Sequence, residues 1–112
     1  MSKEHLGELE ELVLLVIITL KEEAYGLAIR NAIVKQTGRK ITIGAIHGTV
    51  NRLEDKGYIE SSLGGASEVR GGRRKRLFHI TNHGKQALQK SQDLKVKLWG
   101  QIPYLDLGFS KI

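Results

Sequence analysis

Residues 40–76 decide the fold, and they read KITIGAIHGTVNRLEDKGYIESSLGGASEVRGGRRKR. In the first half, apolar residues recur at helical spacing, and Gly57 stands where a helix C-terminus favours a glycine. The second half holds two segments of strand composition, Tyr58–Leu63 and Arg73–Ile80, with a glycine-rich basic loop between them at 64–72. This order predicts a helix followed by a β-hairpin with a long loop, and a long loop in a small domain usually carries function.

The predicted helix runs from Ile43 to Lys56 and has Thr42 as its N-cap. At about 100° per residue, its apolar residues gather on one side and its small and polar residues on the other. A helix enters the major groove of DNA only if its outward side is small and polar, so we expect this side to contact DNA. An ordinary exposed surface with a tolerated glycine is the alternative. The contacts expected here, with Asn51 and Arg52 nearest the bases, are Lys40, Thr42, Gly44, His47, Gly48, Asn51 and Arg52.

The loop and the returning strand are strongly basic. Between Gly64 and Arg76, five Lys or Arg residues stand against a single acid, Glu68. Arginine pairs well with phosphate and fits a narrow minor groove, so we expect this hairpin to act as a wing that holds DNA beside the helix. A solvated hairpin is the alternative. The residues expected to contact DNA from the wing are Arg70, Arg73, Arg74 and Lys75.

Two further helices are predicted before this region. The first, Glu8–Lys21, is apolar nearly all round and must be covered on more than one side, which in so small a domain points to a second subunit. Residues 1–7 are expected to form a mobile arm. The second helix, 25–37, ends at Gly38, and a short strand is predicted at 39–41. The apolar positions of the second helix are Leu27, Ile29, Ala32 and Ile33.

A last helix is predicted over Asn82–Trp99, with Thr81 as its N-cap and Gly100 and Pro103 at its end. The tail over 101–112 is too apolar to be solvated, so we expect it to pack on something. Residues 1–80 are expected to form a winged-helix domain, to which residues 81–112 add a dimerisation helix and tail within one structural unit. The predicted fold class is mainly α with a small β-hairpin, a winged helix-turn-helix with an added C-terminal dimerisation helix.

The composition narrows the class of protein further. The 112 residues carry 18 Lys and Arg against 12 Asp and Glu, a formal charge of +6 with pI ≈ 9.7, which favours a phosphate-rich partner. The absence of cysteine excludes disulfides and Cys-based zinc sites and fits a reducing cytosol. The longest apolar run, 12–20, is shorter than the ~20 residues that a membrane span needs. We predict a cytoplasmic protein without membrane association, catalytic residues, metal or cofactor.

Three segments resemble the PadR family of bacterial transcriptional regulators. They are LGELEELVLLVIITLKEEAYGLAI at 6–29, ITIGAIHGTVNRLEDKGYIES at 41–61, and GGRRKRLFHIT at 71–81 followed by Gly84. The resemblance covers about 6–88 and implies a winged helix-turn-helix dimer, usually a repressor, often responsive to a small molecule. The family usually has Tyr where this chain has His47, and often Pro where it has Gly48. Operator preference therefore does not carry over, whereas the wing pattern maps onto Gly71–Arg76 without departure.

The resemblance also implies a site at the dimer axis. In small members of the family, a Trp on the last helix lines a pocket that takes a flat aromatic compound. Trp99 lies about one turn later than that position, so an interface Trp without a ligand is the interpretation we favour. Phenolic sensing has no support in these residues. The residues expected to bind an effector or form the dimer interface are Leu12, Leu15, Leu88, Lys95, Leu98 and Trp99.

The residues and the resemblance together predict a homodimeric, sequence-specific DNA-binding regulator, with a repressor as the expected output and double-stranded DNA as the partner. Two-fold symmetry predicts an inverted-repeat operator. A small hydrophobic or aromatic effector would change the distance between the two reading helices. Two alternatives stay open at this point: an architectural protein that coats DNA without reading its sequence, and a winged-helix adaptor that binds protein through its basic surface.

Overall fold

The computed structural model describes residues 5–63 and 75–103. Within these residues three α-helices precede two consecutive strands and a fourth α-helix follows them, an order that confirms the predicted mainly helical fold with a small hairpin. The elements are α1 Glu8–Leu20, a short 3₁₀ turn Lys21–Glu23, α2 Gly26–Thr37, α3 Ile43–Asp55, β1 Ile59–Leu63, β2 Arg76–Ile80 and α4 Asn82–Gly100. The strands pair antiparallel, with Ile59 opposite Ile80 and Leu63 opposite Arg76.

The core lies between the first three helices and the base of the hairpin. Val13, Leu14 and Ile17 of α1 are at most 2% exposed, which explains why this helix is apolar on so many sides. Burial of each such side chain stabilises the fold by roughly 1.5–3 kcal/mol. The hairpin closes the core with two aromatic rings. The buried partners from the other elements are Ile29, Ile33, Ile46, Val50, Leu53, Tyr58 and Phe78.

Threonine caps begin α3 and α4, and a glycine with a left-handed backbone follows the end of α3, at the positions that the sequence predicts. Thr42 Oγ1 accepts a hydrogen bond from the amide of Ala45 at 3.0 Å, and Thr81 Oγ1 accepts one from the amide of Gly84 at 3.0 Å. At the end of α3, Gly57 has φ +79°, which the side chains of other residues rarely tolerate. The boundaries of α3 and α4 agree with the prediction to within one residue.

Gly84 lets α4 begin directly on the hairpin. A Cβ atom at this position would lie 2.2 Å from the carbonyl oxygen of Tyr58 and 2.8 Å from Cγ1 of Ile80. The same carbonyl accepts a hydrogen bond from the amide of Thr81 at 2.9 Å. The first turn of α4 is therefore held by the backbone of the segment that leads into β1, at a distance that only glycine allows.

The predicted strand at 39–41 is wrong. The edge of β2 that a third strand would need is already taken, because the amide of Phe78 donates to the carbonyl of Ala24 at 3.0 Å and Tyr25 pairs with Leu77. The segment before α3 is held by side chains instead. Nε of Arg30 donates to the carbonyl of Ile41 at 2.8 Å.

Three smaller expectations also need correction. The N-terminal arm is predicted to extend to residue 7, but Leu6 packs against the core and Gly7 precedes α1 as its N-cap. Leu27 is 60% exposed, because it lies on the first turn of α2, on the side away from α1 and α3. The β2 strand is predicted from position 73, but it begins at Arg76 and Lys75 lies just before it, while positions 73 and 74 are outside the described residues.

The second half of α4 extends away from the core. Every residue from Gln92 to Pro103 is exposed, and residues 104–112, the rest of the predicted packing tail, lie outside the described part. The Cα radius of gyration is 16.7 Å, whereas a compact chain of this length is expected near 13 Å. Among the described residues, no helix has both the length and the apolar character to cross a membrane.

Candidate DNA-binding surface

The outward side of α3 forms a continuous exposed surface. Ile46, Val50 and Leu53 are fully buried on the inner side. The backbone of α3 is open on the other side, where Gly44 and Ala45 add little bulk. This division of the helix is the one that the sequence predicts. The predicted contacts that lie exposed on or just before α3 are Lys40, Thr42, Gly44, His47, Asn51 and Arg52.

Gly48 and Arg52 form one unit on this surface. The Nη1 atom of Arg52 lies 3.7 Å from the position that a Cβ atom of Gly48 would occupy, so the guanidinium covers the glycine and leaves it half-buried. Nη2 of Arg52 donates to Oγ1 of Thr49 at 3.2 Å, and Nε lies 3.5 Å from a carboxylate oxygen of Glu10. Arg52 therefore turns back along the protein rather than outward, although its side chain remains 58% exposed.

Glu10 holds the C-terminal end of α3. Its carboxylate is 7% exposed and accepts hydrogen bonds from Nζ of Lys56 at 2.8 and 3.0 Å and from the amide of Gly7 at 2.8 Å. Burial opposes the charged form of this carboxyl. The hydrogen bonds from Lys56 and Gly7, with the charges of Lys56 and Arg52, outweigh burial and hold the pKa of Glu10 below its ordinary value. Glu10 is thus an ionised anchor.

The base of the hairpin lies against the start of α2. The ammonium of Lys75 lies 5.0 Å from the centre of the Tyr25 ring, a distance at which the ring attracts a cation. The backbone of Tyr25 pairs with Leu77. The sequence prediction missed Tyr25, although an aromatic residue directly before a helix-opening glycine is a visible signal. The other predicted wing residues, Arg70, Arg73 and Arg74, lie outside the described residues.

His47 joins the start of α2 to the surface of α3. Its Nε2 atom lies 3.4 Å from the position that a Cβ atom of Gly26 would occupy. A side chain at position 26 would therefore press on the imidazole. The start of α2, the outward side of α3 and the base of the hairpin form a single surface. We call it the α3 surface and define it by Tyr25, Lys40, His47, Asn51 and Lys75.

The residues predicted for an effector or a dimer interface divide into two groups. Leu12 and Leu88 pack against the core of the subunit itself. The others lie near or beyond the contact of α1 with α4, where Nζ of Lys95 lies 2.6 Å from a carboxylate oxygen of Glu11. Their exposed fractions are Leu15 45%, Leu98 51% and Trp99 59%.

A groove of about 1000 Å³ runs between the start of α1 and α4. Its floor includes Leu6 and Tyr58, and its walls carry acids from both helices and lysines from α4. Of the six residues predicted for an effector or an interface, only Lys95 lines this groove. The structure therefore does not bring Trp99 and the groove together within one subunit.

One apolar stripe of α4 is covered only in its first half. With roughly 100° per residue, Leu88, Leu94, Leu98 and Trp99 fall within one side of the helix. Leu88 lies against the core, whereas Leu94 is 56% exposed and Leu98 and Trp99 are similarly exposed. The stripe thus continues past the part of α4 that packs against the described core.

Three helices, with α3 exposed beside a two-stranded hairpin, define a winged helix-turn-helix protein. The sequence matches the model of the transcriptional regulator PadR-like family over residues 13–90. Since this match covers most of the chain, the protein belongs to the PadR-like family of transcriptional regulators. This class is not enzymatic, as the sequence predicts.

Solved structures of transcriptional regulators, two of them of the PadR family by name, have this fold. A PadR family regulator from Eggerthella lenta is 25% identical, with a TM-score of 0.64 over 85% of this chain and 82% of that one. A PadR-like regulator from Bacillus cereus is 24% identical, with a TM-score of 0.70 over 90% and 93% of the two chains. A transcriptional regulator from Clostridium thermocellum is 25% identical, with a TM-score of 0.61 over 85% and 89%. No curated protein sequence matches the chain.

Proposed function

We propose that this protein is a homodimeric, ligand-responsive transcriptional repressor that acts in the cytoplasm and binds an inverted-repeat operator. The α3 surface carries this proposal. It combines a helix whose outward side is small and polar with two exposed cations, Lys40 just before α3 and Lys75 at the base of the hairpin. Neither cation has an ion-pair partner among the described residues, so both charges are available to phosphate.

Each α3 helix enters a major groove in this proposal. Asn51 reaches the base edges, where its amide matches adenine best, and Gly44 permits close approach of the backbone. Thr42 and His47 lie nearer the phosphates. Arg52 reads a base or binds phosphate after its guanidinium leaves Thr49. Lys75 and the arginines at 70, 73 and 74 supply the wing contacts.

A second subunit covers the free half of the α4 stripe. Leu94, Leu98 and Trp99 continue the side of α4 that is buried against its own subunit at Leu88. On α1, Leu15 lies one turn beyond Glu11, the residue that contacts α4, and is itself 45% exposed. Exposed apolar side chains on two neighbouring helices are the usual mark of an interface. A two-fold dimer places two α3 surfaces on one duplex, which requires an inverted repeat.

The effector in this proposal is a small hydrophobic or aromatic molecule that binds near α4. The groove between α1 and α4 offers an apolar floor and charged walls, which suits an apolar ligand with one polar group. A ligand there changes the angle between α4 and the rest of its subunit, and so the distance between the two α3 helices. Repression follows while the dimer occupies promoter DNA, and the ligand relieves it.

The decisive experiment titrates the purified protein against genomic fragments, including the DNA upstream of its own gene. Excess non-specific competitor and about 0.15 M salt suppress binding that depends on charge alone. Retention of a fragment with an inverted repeat is the expected result, and the Arg73→Ala/Arg74→Ala variant is expected to bind all duplexes more weakly. Equal binding to every fragment contradicts sequence-specific regulation and favours an architectural protein. Absence of binding, with and without candidate ligands, favours a protein-binding adaptor.

A further inference from the structure

Glu54 lies where α3 meets both strands of the hairpin. One oxygen of its carboxylate accepts a hydrogen bond from Nη2 of Arg76 at 2.5 Å, and the other accepts one from Oγ of Ser61 at 2.7 Å. Nε of Arg76 donates to the same Ser61 oxygen at 3.2 Å. The three side chains thus form a closed triangle that joins the last turn of α3 to β1 and to β2. We call it the hinge triangle.

The hinge triangle is located at the last strand pair of the hairpin. Arg76 is the first residue of β2 and lies opposite Leu63, the last residue of β1. The wing, residues 64–75, connects the two residues of this pair. The guanidinium of Arg76 also lies 5.2 Å from the centre of the Phe78 ring, which is buried in the core. The triangle therefore fixes the direction in which the hairpin leaves the body of the protein, relative to α3.

The triangle also removes Arg76 from the set of cations that can bind DNA. Its side chain is 48% exposed and its charge is compensated by Glu54, whose side chain is 26% exposed. Arg76 belongs to the basic run that the sequence shows, yet its guanidinium is directed at protein groups. An acid so close to a DNA-binding surface opposes DNA by charge alone. We therefore expect Glu54 to have a role that offsets this repulsion.

We propose that Glu54 is a positioning residue for DNA binding, which acts through Arg76 and Ser61 to aim the wing at the duplex that α3 reads. This inference rests on the proposed function. According to this inference, Glu54 increases the affinity for DNA although it is an acid close to the DNA. Without the triangle the two strands lose their link to α3, and the wing cations meet the phosphates with poorer geometry.

The test compares two acid-to-alanine variants of α3 that have the same change in charge. Asp55 is exposed and follows Glu54 directly, and it has no hydrogen bond or ion pair among the described residues. By charge alone, Glu54→Ala and Asp55→Ala both strengthen binding to any duplex, because each removes one negative charge. If Glu54 aims the wing, Asp55→Ala strengthens binding slightly and Glu54→Ala weakens it. The two variants then change in opposite directions.

The readout is the affinity for one duplex across a salt series. The slope of log K against log salt is expected to become shallower for Glu54→Ala by about 0.9 for each phosphate that the dimer no longer neutralises, with affinity at least about threefold lower. The exchanged pair Glu54→Arg/Arg76→Glu keeps the net charge and restores an ion pair of reversed polarity. It is expected to recover part of the original slope, whereas Arg76→Glu alone does not.

Thermal unfolding precedes each titration. If Glu54→Ala fails to fold, Ser61→Ala replaces it in the test. Ser61→Ala breaks the triangle without a change in charge, and it is also expected to make the slope of log K against log salt shallower. Equal or tighter binding of Glu54→Ala, in step with Asp55→Ala, overturns the inference and leaves the proposed function intact. A wild-type protein that binds no duplex overturns the proposed function and this inference together.

Discussion

Nζ of Lys56 lies 2.8 Å from one carboxylate oxygen of Glu10 and 3.0 Å from the other, across 46 residues of sequence. This contact ties the end of α3 to the first turn of α1. The helix proposed to read DNA is therefore anchored to the helix whose exposed side chains are proposed to meet a second subunit. Because Glu10 is ionised and buried, the strength of the link depends on pH.

Replacement of Glu10 by Gln is expected to lower the free energy of unfolding by about 3 kcal/mol at neutral pH, since it leaves Lys56 without its charged partner. The pKa of Glu10 in the folded protein lies below the ordinary value of 4.5, so the unfolded state binds more protons between the two values. The stabilisation is therefore complete above the ordinary pKa and is lost as the pH falls through the lower, folded value. Urea unfolding across this range measures it.

Glu8→Gln is the matched control for Glu10→Gln. Glu8 lies on the same turn of α1 and pairs with Arg39 at 3.2 Å, but its side chain is 77% exposed. A pair so exposed contributes less than about 0.5 kcal/mol. If the two variants lose similar stability, or if the loss in Glu10→Gln does not shrink in acid, Glu10 is not the anchor described above.

Gly84→Ala is expected to destabilise the fold by at least about 3 kcal/mol, because backbone atoms rather than a movable side chain would meet the new methyl group. The carbonyl oxygen of Tyr58 lies only 2.2 Å from the position of that methyl group. Gly100→Ala serves as the control, since in the part of the chain that the structure describes no atom beyond its chain neighbours and the backbone of its own helix lies within 4 Å of its Cβ position. Thermal unfolding of both variants checks the prediction, and a wild-type melting temperature for Gly84→Ala would contradict it.

Gly48→Ala is expected to separate stability from DNA binding. The new methyl group meets Arg52 at an ordinary distance of 3.7 Å, and alanine favours a helix interior by about 1 kcal/mol over glycine. If the α3 surface enters a groove at this point, affinity falls by at least about fivefold, roughly 1 kcal/mol. Thermal unfolding and a duplex titration are needed on the same sample. A variant that is more stable and binds as tightly as the wild type removes position 48 from the DNA contact.

Leu98→Glu is expected to convert the proposed dimer to monomers at micromolar concentration. A charge in the centre of the α4 stripe would have to be buried without a partner, which costs several kcal/mol. Val96→Glu is the control, because Val96 is 56% exposed, close to the 51% of Leu98, but lies on the opposite side of the helix from Leu98. Sedimentation velocity distinguishes the two. Two monomeric variants, or two dimeric ones, would place the interface elsewhere.

The local features of this fold are visible in the sequence. Thr42 and Thr81 mark helix starts by their side-chain hydroxyls and Gly57 marks a helix end by its backbone conformation, so these positions are predicted to within a residue. The strand expected at 39–41 does not form, because a residue distant in the sequence occupies the edge of β2 with which it would pair. Tyr25 occupies that edge of β2, and no local pattern near residue 40 records this.

The missed residues are those whose role depends on distant partners. Glu54 meets Arg76 across 22 residues, and neither residue type is unusual at its position. Glu10 had a visible signal. It precedes Val13, Leu14 and Ile17 by three, four and seven residues, which places an acid at the N-terminal end of the buried stripe of α1. A carboxylate at such a position requires a cationic partner, although the sequence does not say which one.

Because α4 is long, a small rotation at its first turn produces a large displacement at its far end. Its 19 residues span about 28 Å at a rise of about 1.5 Å each. If the second half of α4 packs against a second subunit, the rest of the protein rotates as one body about the first turn of α4. A tilt of about 10° at the seat of the first turn, where Gly84 lies against the carbonyl of Tyr58, moves the other end by about 5 Å, more than the spacing of one base pair, about 3.4 Å. Substitutions at this seat should therefore alter which half-site spacing is accepted before they alter the bases that are read.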